Sequence, residues 1–149
     1  MNMTKRVIIF IIICILATVF IVARFNRVKT KPVLSLIAWT QANDNTNYQD
    51  LAKKNNQKIF LFFHTTWCGW CDLMLKTTFL DKKVANYFKN KKALCVLVDG
   101  DKCKKLVAKY KIRGYPTSIF INPNQEIKVV TGFQKSKDFL PELTQYFKV

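Results

Sequence analysis

The sequence predicts an α/β fold, a mixed central sheet with helices on both faces. Three observations predict it. Ile59-Phe60-Leu61-Phe62-Phe63 is a continuous apolar run of strand length, as expected of a strand covered on both faces. Strand-like runs then alternate with helical patterns, which argues for parallel pairing. Near the C-terminus two short apolar runs flank Asn122-Pro123-Asn124-Gln125, which reads as a β-hairpin and an antiparallel edge.

The 149 residues allow one domain plus a short extra segment. Half the residues are apolar and twelve are Phe, so the roughly 110 residues after the N-terminal segment can build a core. Five Cys at irregular spacing do not make a disulfide-stapled scaffold. The net charge of +16 comes mostly from Lys spread along every segment. No Arg cluster interleaves with aromatics as a base-stacking groove requires. The charge reads as a basic surface attractive to acidic partners or anionic lipid headgroups, and nucleic acid is not expected.

Residues 1–6 read as a cytoplasmic tail and residues 7–23 as a transmembrane anchor. Val7–Ala23 carries no charge and follows Lys5 and Arg6. As a helix it measures roughly 25 Å, close to the lower limit for a span. The segment also resembles a signal peptide, but Ile15-Leu16-Ala17 and Ile21-Val22-Ala23 place a bulky Ile where cleavage needs a small residue, so it is read as uncleaved. Cys14 follows three Ile, a poor lipoprotein context, and is expected to be inert in lipid. Residues 24–47 form a basic juxtamembrane linker with a candidate first strand at Val33–Trp39, and residues 48–149 form the domain.

Within the domain, Asn47 and Asp50 mark a helix start, a weak relative of the capping box, ahead of a short helix over Tyr48–Asn55. Lys58–His64 is the buried strand. From Cys68 a helical pattern begins through Cys71, Leu75 and Phe79, and Val84–Lys89 continues it after the Asp81-Lys82 break. Ala93–Val98 is an apolar strand closed by Asp99-Gly100-Asp101, and Lys102–Tyr110 is helical. Thr117–Ile121 and Ile127–Thr131 form the hairpin, and Ser136–Phe147 closes the chain as an amphipathic helix.

Trp67-Cys68-Gly69-Trp70-Cys71 is the strongest chemical signal. Two Cys separated by two residues, following a buried strand and opening a helix, form a redox motif. Helix N-terminal N–H groups favour the Cys68 thiolate. Cys68 is expected to attack a disulfide, and Cys71, one turn on, to resolve the mixed disulfide and close a Cys68–Cys71 bridge. Gly69 is expected to let the backbone turn tightly and Trp67 to shield the site as an aromatic wall. A zinc site would need a second ligand pair, and the chain has one His and no second Cys-x-x-Cys.

Arg113-Gly114-Tyr115-Pro116-Thr117 is the second signal. Pro116 stands at the entrance to a predicted strand, where it cannot donate to the ladder, and Gly114 marks a bend. Alone this would be an ordinary trans-proline of a loop; beside the Cys motif that reading reverses.

From about Tyr48 to Val149 the chain resembles the thioredoxin superfamily in its motifs and element order. It looks most like membrane-associated bacterial thioredoxin-like proteins, including the C-terminal domain of the transmembrane thiol:disulfide interchange reductase. The Trp-Cys-Gly-x-Cys box falls on Trp67–Cys71, the strand-ending Asp on Asp99, the Arg-Gly-x-Pro-Thr box on Arg113–Thr117 and the late Gly on Gly132. The resemblance implies the thioredoxin fold, preceded here by one N-terminal transmembrane helix. It also implies that Pro116 is a cis-proline facing the Cys pair, and that Tyr115 offers backbone hydrogen bonds to an extended substrate strand. With Gly69 and Trp70, these residues would support the catalytic Cys68 and Cys71.

Two departures stand out. The family's buried Asp, six residues before the first Cys, is Phe62 here, and the Lys four residues before the strand-ending Asp is Cys95. The proton acceptor for the resolving thiol is therefore open. Asp72 is the nearest acid in sequence and reads as a solvated first-turn residue. His64 reads as a half-buried packing residue, Cys95 as a small buried apolar one, and Cys103 as an inert thiol near a helix start. Phe60, Phe62, Phe63, Phe79 and Phe120 are expected in the core.

The expected activity is thiol–disulfide exchange on protein disulfides, as a reductase or isomerase at the bacterial inner membrane, single-pass, with the catalytic domain in the periplasm. The alternative is a non-catalytic binding or assembly module that grips cysteine peptides such as apocytochromes or copper-site proteins. Expected partners are proteins with disulfides or Cys pairs, an upstream thiol electron donor (a membrane protein is a candidate) and the membrane itself. No cofactor and no metal is expected. Flanking charge, about three positive charges before residue 7 against four over 24–31, leans towards a cytoplasmic domain, as do the spare thiols Cys95 and Cys103. The signal-like tail and the resemblance point to the periplasm and are given more weight.

Overall fold

The computed structural model describes residues 36–147, together with residues 13 and 18. The chain divides into Met1–Val33 and Leu34–Val149, and the account below concerns the second unit. The anchor expected over 7–23, apart from residues 13 and 18, lies outside the described residues, as do Cys14 and residues 24–35 of the linker. Among the described residues no helix is long and apolar enough to cross a membrane.

The order is β1 (Trp39–Gln41), α1 (Tyr48–Lys54), β2 (Ile59–His64), α2 (Gly69–Lys76), a single 3₁₀ turn (Thr78–Leu80), α3 (Lys82–Asn90), β3 (Leu94–Asp99), α4 (Lys104–Lys109), β4 (Thr117–Ile121), β5 (Ile127–Thr131) and α5 (Ser136–Tyr146). The five strands form one sheet in the order β1-β3-β2-β4-β5. β1 and β2 run parallel to β3, and β4 runs antiparallel to both β2 and β5.

Two expectations need correction. Among the described residues the first strand is Trp39–Gln41, three residues on the sheet edge, and residues 36–38 of the expected Val33–Trp39 are not strand; the polar Thr40 and Gln41 pair there because an edge strand needs no second buried face. Although α4 separates β3 from β4, the crossover does not restore parallel pairing. Six helical residues advance only about 9 Å, less than half the length of a six-residue strand. The loop over 110–116 then returns the chain to the end where β3 finished, so β4 starts there and runs backwards.

Strand alternation divides the core by face. Phe60, Phe62, Cys95 and Phe120 lie on one face under Met74 of α2, Val84 and Phe88 of α3, and Phe139 and Leu143 of α5. Ile59, Leu61, Phe63, Val96, Val98, Ile119 and Ile121 lie on the other under Tyr48 and Ala52 of α1 and Leu106 of α4. Phe60, Phe62, Phe63, Phe79 and Phe120 are all in the core, as expected. Tyr115 packs against both layers.

Local signals hold the helices in register. Asp81 caps α3, its Oδ1 accepting from Lys83 N (2.8 Å) and Val84 N (3.3 Å), a contribution of about 1 kcal/mol. The helix start expected at Asn47 is observed, with Asn47 as the N-cap of α1; its side chain makes no cap bond to backbone and donates to Asp50. The register pairs His64 with Asp99, Phe63 with Thr117 and Thr117 with Thr131. The loops after β2 and β3 and the loop before β4 therefore meet at one end of the sheet.

Candidate active site

Cys68 is the N-cap of α2. Its backbone is extended, and its Sγ accepts a hydrogen bond from Cys71 N at 3.1 Å. The apolar strand β2 delivers the chain to this point, and the turn that starts α2 points the Cys71 N–H at the sulfur. Such donors favour negative charge on Cys68. Cys68 and Cys71 are disulfide-bonded, with Cα atoms 5.2 Å apart. Both are buried, Cys68 to 8% exposure and Cys71 to 1%, so the pair has an outer and an inner member as the sequence suggested.

Gly69 differs from expectation. It is the first helical residue, has no left-handed φ, and a Cβ there would meet nothing within 4 Å. Neither a tight turn nor a close approach requires glycine at this position.

Trp67 was expected as a wall and stands open to solvent at 70% exposure. Its Nε1 donates to Asp101 Oδ2 at 3.0 Å, and its ring meets Tyr115 edge-on at 5.8 Å. Trp70 is also exposed and leans on Phe133 at 5.4 Å. The rim around the Cys pair is thus aromatic and reachable from solvent.

The Tyr115–Pro116 peptide is cis. Pro116 directly precedes Thr117, which sits opposite Phe63 near the end of β2. Gly132, at φ 104°, donates from its backbone N to Pro116 O at 2.8 Å. Thr117 Oγ1 bonds Gly114 O at 2.8 Å, closing the bend that Gly114 announced. Gly100 was quoted in the sequence only as part of a strand closure. A Cβ on it would lie 2.1 Å from Tyr115 Oη, so this glycine makes room for the Tyr115 ring. Only the Gly after a strand-ending Asp signalled it, and nothing in the sequence linked it to Tyr115.

Beneath the disulfide the floor is apolar. Phe62 and Cys95 share the hydrophobic layer with Cys71, Met74 and Phe79. Burial pushes the Cys95 thiol up to about 12, which suits the packing role expected of it. Cys103 is buried at the N-cap of α4, and burial, then the carboxylates of Asp44 and Asp99, raise its thiol. Asp72 is exposed and pairs with Lys76 at 2.6 Å, the solvated first-turn role expected. His64 is half-buried with its ring over Phe62 at 6.4 Å. Burial lowers its pKa and the Asp99 carboxylate opposes the shift. Asp99 itself is raised by burial but held below the usual range by the Asp101 N–H, the Lys102 ammonium at 3.2 Å and His64. Among the described residues no cluster of His, Cys, Asp or Glu could hold a metal ion.

The chain is similar to known proteins in sequence and in fold. The family model "Thioredoxin" matches residues 39–145. Thioredoxin-1 of Drosophila melanogaster is 30% identical over 93 residues, 62% of this chain and 83% of that one. The thiol:disulfide interchange protein DsbD of Pseudomonas fluorescens is 29% identical over 101 residues, 64% of this chain and 17% of that longer protein. A thioredoxin from Thermus thermophilus superposes with a TM-score of 0.60 at 21% identity, covering 73% of this chain and 85% of the other, a likeness of fold.

Proposed function

The chain belongs to the thioredoxin family, and from that premise we propose that it reduces or isomerises protein disulfides, held to the bacterial inner membrane by residues 7–23 with Cys68 facing the periplasm. The observation that carries the chemistry is the Cys68–Cys71 disulfide at a helix start, its outer sulfur accepting an N–H. In the reduced pair, the Cys68 thiolate attacks one sulfur of a substrate disulfide and expels the other as a thiolate. Cys71, losing its proton, attacks Cys68 Sγ, expels the second substrate thiolate and leaves the Cys68–Cys71 bridge. Two electrons have passed to the substrate. An upstream thiol donor, for which a membrane protein is the candidate, must return them. For isomerisation the first step alone suffices, with a substrate thiol resolving the mixed disulfide.

Pro116 and the Tyr115 backbone hold an extended substrate segment across the pair, and Trp67 and Trp70 line its approach. The apolar run over 7–23 behind Lys5 and Arg6 supports the anchor, and the signal-like charge pattern of the tail is the ground for the periplasmic side.

Insulin reduction tests turnover. Cys71→Ser should accumulate mixed disulfides and Cys68→Ser none; equal trapping by both on non-reducing gels overturns the assigned order. Alkaline phosphatase fused after Val149 tests sidedness. Strong activity supports export, and an inactive, stable fusion puts the domain in the cytoplasm.

A further inference from the structure

Lysines occur along the whole of this domain, but its acids are unevenly placed along the sheet axis. The end opposite the Cys pair gathers the chain before β2, the chain before β3, the β4–β5 turn and the C-terminus of α5. Lys53, Lys54 and Lys58 come from the first, Lys89, Lys91 and Lys92 from the second, and Lys128 from β5. Among the described residues Glu126 is the one Asp or Glu there; Asp50, Asp72, Asp138 and Glu142 lie in helices, Asp99 ends β3, and Asp44, Asp81 and Asp101 lie in loops.

Helix dipoles favour Lys in a last turn, which accounts for Lys53, Lys54 and Lys89. They do not account for Lys58, Lys91, Lys92 and Lys128, which lie outside the helices. Lys58, Lys91 and Lys92 line an open cleft of about 980 Å³ with Asn56, Gln57 and Glu126. Partial burial, and then the charge of Lys91, lower the Lys58 ammonium below its ordinary value. Lys58 Nζ donates to Phe147 O at 2.7 Å, and the solvent-exposed Lys53, Lys54, Lys89 and Lys92 around the cleft attract anions.

The chain also enters the domain at this end, because Trp39, the first residue of β1, pairs with Cys95 near the start of β3. Upstream, Arg24, Arg27, Lys29 and Lys31 follow the uncharged run 7–23. The thirteen residues from 24 to 36 reach at most about 45 Å.

We propose that this basic end is a docking surface for anionic lipid headgroups, which seats the domain on the membrane with the Cys pair turned away from it. The choice of lipid over other polyanions rests on the membrane reading proposed above. Seated so, the aromatic rim stays clear for proteins arriving from the aqueous side.

The test uses the full chain in nanodiscs of phosphatidylcholine, with or without about 30% phosphatidylglycerol to set the surface charge. Amide hydrogen exchange is followed by mass spectrometry. Phosphatidylglycerol should protect residues 55–58, 89–92 and 122–126 and leave 65–72 unchanged, and about 0.5 M NaCl should remove the effect. Each lysine near an anionic surface is worth about fivefold in affinity. The exposed triple variant Lys54→Gln, Lys89→Gln, Lys92→Gln should therefore dock roughly 100-fold more weakly and lose the protection at the same lipid composition. A matched variant at the other end, Lys104→Gln, Lys135→Gln, Lys137→Gln, should behave like the parent. Equal protection in both disc types, protection around Cys68, or protection by a short oligonucleotide without any lipid effect overturns the proposal. Loss of the chain from neutral discs instead refutes the anchor; flotation with anionic vesicles, sensitive or not to the first triple variant, then decides the docking surface separately.

Discussion

Restoring the family's buried acid by Phe62→Asp should nearly unfold this protein. Phe62 is fully buried, with its ring 4.8 Å from Phe79 and 6.2 Å from Trp39. Removing a core Phe side chain costs about 3–5 kcal/mol. A carboxyl placed there has Cys95 where the family carries a Lys, and an unpartnered buried polar group adds about 1–3 kcal/mol. The sum, about 4–8 kcal/mol, is comparable to the roughly 5–15 kcal/mol that stabilises a domain of this size. Urea unfolding of Phe62→Ala and Phe62→Asp, in parallel at pH 4 and pH 8, separates the two parts. Burial raises the folded-state pKa of the new carboxyl above its unfolded value of about 3.9. Its destabilisation should therefore be least at pH 4 and grow as pH rises through the folded pKa, while the Ala variant responds no more than the parent. A Phe62→Asp variant within about 2 kcal/mol of the parent, with no pH dependence beyond it, would refute the apolar floor and imply a proton partner or water beneath Cys71.

Other outcomes follow from the same geometry. Gly100→Ala must displace the Tyr115 ring, since the new Cβ would lie 2.1 Å from its Oη; a loss of about 1–3 kcal/mol in urea is expected, with a matching fall in insulin reduction. In the reduced protein at pH 8, mass mapping of maleimide labelling should find Cys68 fast and Cys95 slow, because burial holds Cys95 protonated to about 12; equal rates would count against it. His64 should titrate below its ordinary range by NMR, because burial outweighs Asp99. Its contribution to stability is then present above the unfolded pKa of about 6.5 and lost as pH falls through the lowered folded value; Asp99→Asn should lower the midpoint further.

Much of the fold was legible because its signals are local. β2 announced itself through five consecutive apolar residues, and both hairpin strands have the predicted bounds. α5 forms through Pro141 because Phe139, Leu143 and Phe147 are buried beneath it, a stripe that outweighs one lost backbone bond. What stayed hidden depends on distant partners. β1 has little apolar pattern and is a strand because β3 offers it an edge. The direction of β4 depends on how far α4 carries the chain. At the site, Cys68, Cys71 and Pro116 could be read from motifs. The pairing of Trp67 with Asp101 across 34 residues and the fit of Tyr115 against Gly100 could not, because neither spacing has a period.

Tyr115 touches both hydrophobic layers while sitting one residue before Pro116. Most residues of this sheet answer to one layer alone, so a volume change in one half can be absorbed there. The Tyr115 ring has no such slack. Repacking around Phe60 and Phe120, or around Leu61 and Ile119, changes the support on one side of the same side chain. Sequence drift in either layer is therefore screened at the cis peptide that Tyr115 forms with Pro116. Compensating substitutions should accordingly be found in pairs, one from each layer, even though the two sets of residues lie on opposite faces of the sheet.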